Sequence, residues 1–80
     1  MEDNQLRAEV QTTFREVLNN PTLELTDDMS ANHVQGWDSI AHIDLIYALE
    51  KRFKVRMTTG EVSRLANVGD LISLLHQKVK

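Results

Sequence analysis

Apolar residues recur at helical spacing along most of this chain, and no stretch alternates as a strand does. Leu6, Val10, Phe14, Val17 and Leu18 mark an amphipathic helix from about residue 3 to 19. Asn19-Asn20-Pro21 stops it, because proline disfavours the α conformation of the residue before it. A second helix is predicted from Ser39 to about Phe53, with Asp38 or Ser39 supplying the N-cap oxygen. Thr58-Thr59-Gly60-Glu61 has the capping-box spacing and opens a short third helix that ends near Leu65. Asn67 caps a last helix, with Asp70 in its first turn and Leu71, Ile72, Leu74, Leu75 and Val79 as its apolar positions. The expected fold class is all-α: a small four-helix bundle with a long first loop and a short third helix.

Eighty residues without repeats or a linker read as a single domain, 1–80. Residues 20–38 fit no period, yet Leu23, Leu25, Met29, Val34 and Trp37 give this loop five apolar anchors. A loop that long is expected to lie across the helices, packed down by those anchors. Residues 59–65 should be the most labile helical segment, being short and carrying Gly60.

Several function classes are excluded or disfavoured by composition. There is no cysteine, hence no disulfide framework, thiolate metal site or cysteine nucleophile. His33, His42 and His76 lie 9 and 34 positions apart, which matches no ligand spacing within one helix, so no metal is expected. No apolar run approaches a membrane span and Met-Glu-Asp-Asn is unlike a signal peptide, so a cytoplasmic protein without membrane insertion is expected. The net charge of -3 argues against nucleic acid as a partner. Charge is segregated: residues 1–50 hold ten acids and two bases, residues 51–80 seven bases and two acids. A chain this small favours a carrier or binding module over an enzyme with a closed cleft.

The second helix has more apolar surface than a core requires. On a wheel of about 100° per residue, Leu45, Ile46, Leu49 and Phe53 form one arc with His42 among them. Ile40, Ile43 and Tyr47 extend it by about another 120°, beyond the stripe a surface helix needs. The long loop is one cover for Ile43. For Ile40 and Tyr47 exposure is expected, and an apolar strip rimmed by Asp44, Glu50 and Lys51 reads as a docking face.

Ser39 opens this helix. Taken alone it is a first-turn serine, and a hydrolytic pair with His42 lacks both a Gly-x-Ser-x-Gly elbow and an oxyanion site. His42 is read as a packed or partly exposed histidine bonded to the loop. Asp38-Ser39-Ile40, Ile43-Asp44-Leu45-Ile46 and Ala48-Leu49-Glu50-Lys51-Arg52-Phe53 together resemble the acyl carrier protein family. The resemblance continues through Val55-x-Met57, Glu61-Val62 and Val68-Gly69-Asp70-Leu71-Ile72, covering essentially the whole chain.

The resemblance implies a non-catalytic carrier. It makes Ser39, with Asp38 as its motif neighbour, the attachment point of 4′-phosphopantetheine, donated by coenzyme A through a phosphopantetheinyl transferase. The thiol of that group would hold acyl intermediates as thioesters for acyl-loading, condensing or acyl-transferring enzymes of fatty-acid, polyketide or related biosynthesis. The implied carrier is a monomer that docks through Ile40, Ile43, Asp44, Tyr47, Glu50 and Lys51. Ile46, Leu49, Val62 and Leu65 are the candidates for an acyl pocket between the second and third helices. Ile40 in place of leucine, and Ala41 and Lys51-Arg52 at positions that are commonly acidic, depart from the family pattern, while the Gly36-Trp37-Asp38-Ser39 approach resembles discrete carriers of specialised pathways.

Two other classes compete. One is a helical interaction module without a prosthetic group, docking through the Ile40–Tyr47 strip. The other is a nucleic-acid binder using Lys51, Arg52, Lys54 and Arg56, against which a solvated helix end is the plainer reading.

Overall fold

Four helices follow one another along the described chain: α1 (Asp3–Val17), α2 (Ser39–Phe53), α3 (Thr59–Ser63) and α4 (Val68–Lys78). The structure is a computed structural model, and it describes residues 2–30, 32–34 and 36–79. Residues 1 and 80, the ends of the expected domain, lie outside the described set, as do 31 and 35 in the long loop.

Three helix starts are held by the side chains whose spacing predicts them. Asp38 accepts from the Ala41 N–H at 2.8 Å, and Asn67 accepts from the Asp70 N–H at 2.9 Å. Thr58 accepts from the Glu61 N–H at 3.1 Å while the Glu61 carboxylate accepts from the Thr58 N–H at 2.9 Å, which completes a capping box. The first helix ends at Val17 rather than at 19, because Asn19 takes a left-handed conformation (φ 53°). The Asn20 N–H then turns back to the Arg15 carbonyl at 2.9 Å. Similarly, α3 ends at Ser63, and Arg64 and Leu65 continue only as tight turns onto Glu61 and Val62.

The core lies where α1 packs on α2 and α4. Leu6, Val10 and Phe14 from α1 meet Leu45 and Leu49 from α2 and Val68, Leu71 and Leu75 from α4, all buried. Burying each such side chain favours folding by about 1.5–3 kcal/mol. By contrast, α3 has no fully buried residue; Val62 and Leu65 pack against the core only in part.

The long loop is pinned by α1. Arg7 binds the Asp27 carboxylate, Gln11 accepts from the Leu25 N–H at 2.8 Å, and Arg15 donates to the Leu23 carbonyl at 2.6 Å. Four residues of helix rise about 6 Å and two residues of extended chain span about 6.6 Å, so steps of four on α1 match steps of two on the loop. Further on, the Met29 and Asp27 carbonyls accept the Val68 and Gly69 N–H groups at 2.8 Å each. The loop thereby satisfies two of the donors that the start of α4 would otherwise leave to water. Its last anchors, Val34 and Trp37, are buried against the core.

Candidate functional site

Trp37 fixes the approach to α2. Gly36 precedes it with φ 89°, a left-handed conformation that glycine adopts without strain. The buried indole meets the Phe14 ring edge-on, with centroids 5.0 Å apart and planes at 87°. Its N–H donates to Nδ1 of His42 at 3.1 Å, and the two rings lie nearly parallel at 6.0 Å. His42 is therefore half-buried and bonded to the loop, as the sequence predicts.

Ser39, two residues beyond Trp37, is exposed in the first turn of α2. The Ser39 and Ile40 N–H groups have no acceptor among the described residues. They form the positive end of the helix dipole, where an anion is stabilised. No hydrogen bond joins the Ser39 hydroxyl to His42 among the described residues, so no nucleophile–base pair is assembled. Beside Ser39 lies an open hollow of about 510 Å³, lined also by Asn32, Trp37, Asp38, His42, Leu65 and Ala66. An exposed hydroxyl beside unpaired N–H donors fits the attachment of a phosphate-bearing group.

Farther along α2 the loop leaves the apolar strip uncovered. Ile40, Ile43 and Tyr47 are 74%, 68% and 59% exposed, so the loop is no cover for Ile43; residues 23–29 are bonded to α1 and α4 instead, and Trp37 meets α2 at His42. Asp44 is exposed on the same helix, and the Lys51 ammonium sits 4.9 Å from the centre of the Tyr47 ring. Glu50 is half-buried and accepts from the Met57 N–H at 2.8 Å. Arg52 faces α1, donating to Glu16 at 3.1 Å and to the Glu9 carbonyl at 3.3 Å. The basic run 51–56 is thus divided between surfaces.

A second groove of about 310 Å³ separates α2 from α3, lined by Ile43, Ile46, Tyr47, Glu50, Met57, Thr59 and Val62. Of the four pocket residues expected from the sequence, it brings together Ile46 and Val62. Leu49 is fully buried in the core, and Leu65 lines the hollow beside Ser39. Met57 and Thr59 have no helical period to mark them, which is why sequence reasoning misses them. Among the described residues no group of histidines and carboxylates could hold a metal ion. Among the described residues no helix is long and apolar enough to cross a membrane.

Comparison with known proteins decides the family. The family model described as the phosphopantetheine attachment site matches residues 8–75. The chain belongs to the acyl carrier protein family. It is 29% identical over 79 residues to the acyl carrier protein of Exiguobacterium sibiricum, covering 99% of this chain and 100% of that one. The acyl carrier protein of Helicobacter pylori is 29% identical over 70 residues, 88% of this chain and 90% of its own. A solution NMR structure of holo acyl carrier protein from Geobacter metallireducens superposes with a TM-score of 0.87 at 36% identity, covering 92% of this chain and 85% of that chain. This carrier is non-catalytic and has a phosphopantetheine attachment site, which displaces the interaction module without a prosthetic group. Family membership also implies a phosphopantetheinyl transferase and acyl-handling enzymes as its general partners.

Proposed function

We propose that Ser39 is the residue that takes the prosthetic group and that residues 1–80 act as one monomeric carrier domain in the cytoplasm. The observation that carries this is the exposed Ser39 hydroxyl at the start of α2, beside two N–H donors without acceptors among the described residues and inside the matched segment 8–75. In the transfer the Ser39 oxygen loses its proton and attacks the phosphorus nearer the pantetheine; the P–O–P bond of coenzyme A breaks, adenosine 3′,5′-bisphosphate leaves, and a phosphodiester remains on Ser39. When bound, the group supplies a thiol that holds acyl cargo as a thioester. The first turn of α2 stabilises the phosphate by its dipole, and Asp38 keeps that turn formed.

Partner enzymes dock on the strip of Ile40, Ile43 and Tyr47, with Asp44, Glu50 and Lys51 at its rim. Apolar cargo enters the groove between α2 and α3, against Ile46 and Val62. Ala41, Lys51 and the Gly36-Trp37 approach favour a discrete carrier of a specialised acyl or hydroxyacyl pathway, whose partners tolerate a base on α2.

The test is intact mass after co-expression with a broad-specificity phosphopantetheinyl transferase. The protein gains one phosphopantetheine and Ser39→Ala gains none. Peptide mapping that put the group on Ser30, Ser63 or Ser73 would overturn the assignment.

A further inference from the structure

His42, which lines the hollow beside Ser39, has a ring nitrogen that none of the described residues engages. Indole N–H can only donate, so the Trp37 bond at 3.1 Å makes Nδ1 of His42 an acceptor. The neutral imidazole then carries its proton on Nε2. Nε2 has no hydrogen-bond partner among the described residues. A histidine that served packing alone would need only its Nδ1 contact. Trp37 is itself clamped between Phe14 and His42, so the imidazole is held in place from the core outward.

His42 follows Ser39 by three residues, which puts both on one helix face with Cβ atoms about 5–6 Å apart. Both line the 510 Å³ hollow with Asn32, Leu65 and Ala66. We propose that this hollow seats the base of the phosphopantetheine arm, with the His42 Nε2–H donating to its phosphate. The inference rests on Ser39 being the attachment residue.

The chemistry of the two sides matches. A phosphodiester is anionic and accepts only, and the donors around the hollow include the Ser39 and Ile40 N–H groups, the Asn32 side-chain amide and Nε2–H of His42. Asp38, the one carboxylate lining the hollow, is engaged by the Ala41 N–H. One methylene beyond the phosphate the arm has a carbon bearing two methyl groups, for which Leu65, Ala66 and the Trp37 ring form an apolar wall. His42 is thus a positioning residue that orders the root of the arm and leaves its thiol end free.

The test compares the wild type, His42→Phe and His42→Gln, each loaded from coenzyme A by a phosphopantetheinyl transferase and checked by intact mass. The readouts are the ³¹P shift, the imidazole ¹⁵N resonances, and the rate at which a phosphodiesterase removes the arm. Loading should move the His42 Nε2 resonance and the Leu65 and Ala66 amides. His42→Phe keeps a ring against Trp37 but has no donor. Its ³¹P shift should move toward that of free 4′-phosphopantetheine, and arm removal should be roughly three- to tenfold faster. His42→Gln, which can both accept from Trp37 and donate, should lie between. If the wild-type Nε2 resonance does not respond to loading, the proposal is overturned whether or not the variants fold. Unchanged ³¹P shift and removal rate in a folded His42→Phe overturn it equally, with the carrier reading intact. A wild-type protein that gains no mass overturns both.

Discussion

Glu50 on α2 accepts the backbone N–H of Met57 at 2.8 Å and so closes the turn that leads into α3. That turn begins at Lys54, whose φ of 57° ends α2 in a left-handed conformation. A carboxylate on the proposed docking rim therefore has a structural duty. Glu50→Ala should destabilise the protein by about 1 kcal/mol, less than the ~1.5–3 kcal/mol typical of a charged hydrogen bond because the group is only half-buried. In a domain this small the melting temperature would fall by about 4–8 °C. Glu50→Gln, which keeps an acceptor, should lose less than half of that. Equal melting curves for all three proteins would remove the structural role.

Asp38 caps the helix on which Ser39 is presented. Asp38→Ala should cost about 1 kcal/mol and Asp38→Asn much less, since asparagine caps as well as aspartate. Phosphopantetheine loading by a transferase should slow in the same order, because the frayed first turn no longer holds the hydroxyl and N–H groups in place. Loading at the wild-type rate in a measurably destabilised Asp38→Ala would separate the cap from the reaction.

Lys51, over the ring of Tyr47, carries a positive charge beside the apolar strip. Exposed rim charges steer association and change it modestly. Lys51→Glu should raise kcat/KM by about two- to fivefold with enzymes whose carrier sites are basic, and leave the melting temperature nearly unchanged. Kinetics indifferent to the change across a panel of carrier-dependent enzymes would place Lys51 outside the interface.

Which of these features the sequence shows follows from how far apart the interacting residues lie. Asp38, Thr58 and Asn67 each bind an N–H three residues on, so their caps are visible as local spacing and all three form. Ser39 was legible because its neighbours fall on a family pattern. The clasp of Arg7, Gln11 and Arg15 on residues 23–27 was not, since it joins residues 20, 14 and 8 positions apart with no shared period. The same holds for Arg52, which a linear reading counts in a basic run although it is turned to Glu16 across 36 positions. The exposure of Ile43 goes with that clasp, which keeps residues 23–27 on α1, and no pattern within 39–53 records it.

Acid should loosen α3 before the rest. The capping bond from the Thr58 N–H, and then the Lys78 ammonium at 3.0 Å, hold the Glu61 carboxyl below its ordinary range. Its folded value lies below its unfolded value, so this stabilisation is present at neutral pH and is lost as pH falls through the carboxylate range. Asp27, lowered by its bond to Arg7, acts in the same direction on the loop. Amide exchange free energies for residues 59–65, measured between pH 7 and pH 3, should decline more steeply than those of α2. Glu61→Gln should flatten that slope. A slope unchanged by the substitution would assign the acid sensitivity elsewhere.

The groove between α2 and α3 makes a last prediction, because one of its walls is the weakest element of the fold. Only five residues long, α3 is far below the length at which a helix persists alone. It is held by its capping box, the partial burial of Val62 and the Glu61–Lys78 pair. Gly60 weakens it further: its φ is not positive, and a Cβ there would have nothing within 4 Å. Gly60→Ala should therefore stabilise by about 0.5–1 kcal/mol. At Gly69, by contrast, a Cβ would lie 3.2 Å from the Asp27 backbone oxygen, so Gly69→Ala should destabilise by pushing the loop off the start of α4. In the arm-bearing protein without cargo, amides of 59–65 should exchange faster than those of 40–53. Attaching a medium-length acyl chain should slow exchange in 59–65, since the chain fills the space between Ile46 and Val62 that α3 otherwise covers loosely. Gly60→Ala should mimic part of that protection without any acyl group. Exchange that is uniform across the helices and unmoved by acylation would remove the cargo groove while leaving the attachment of the arm at Ser39 untouched.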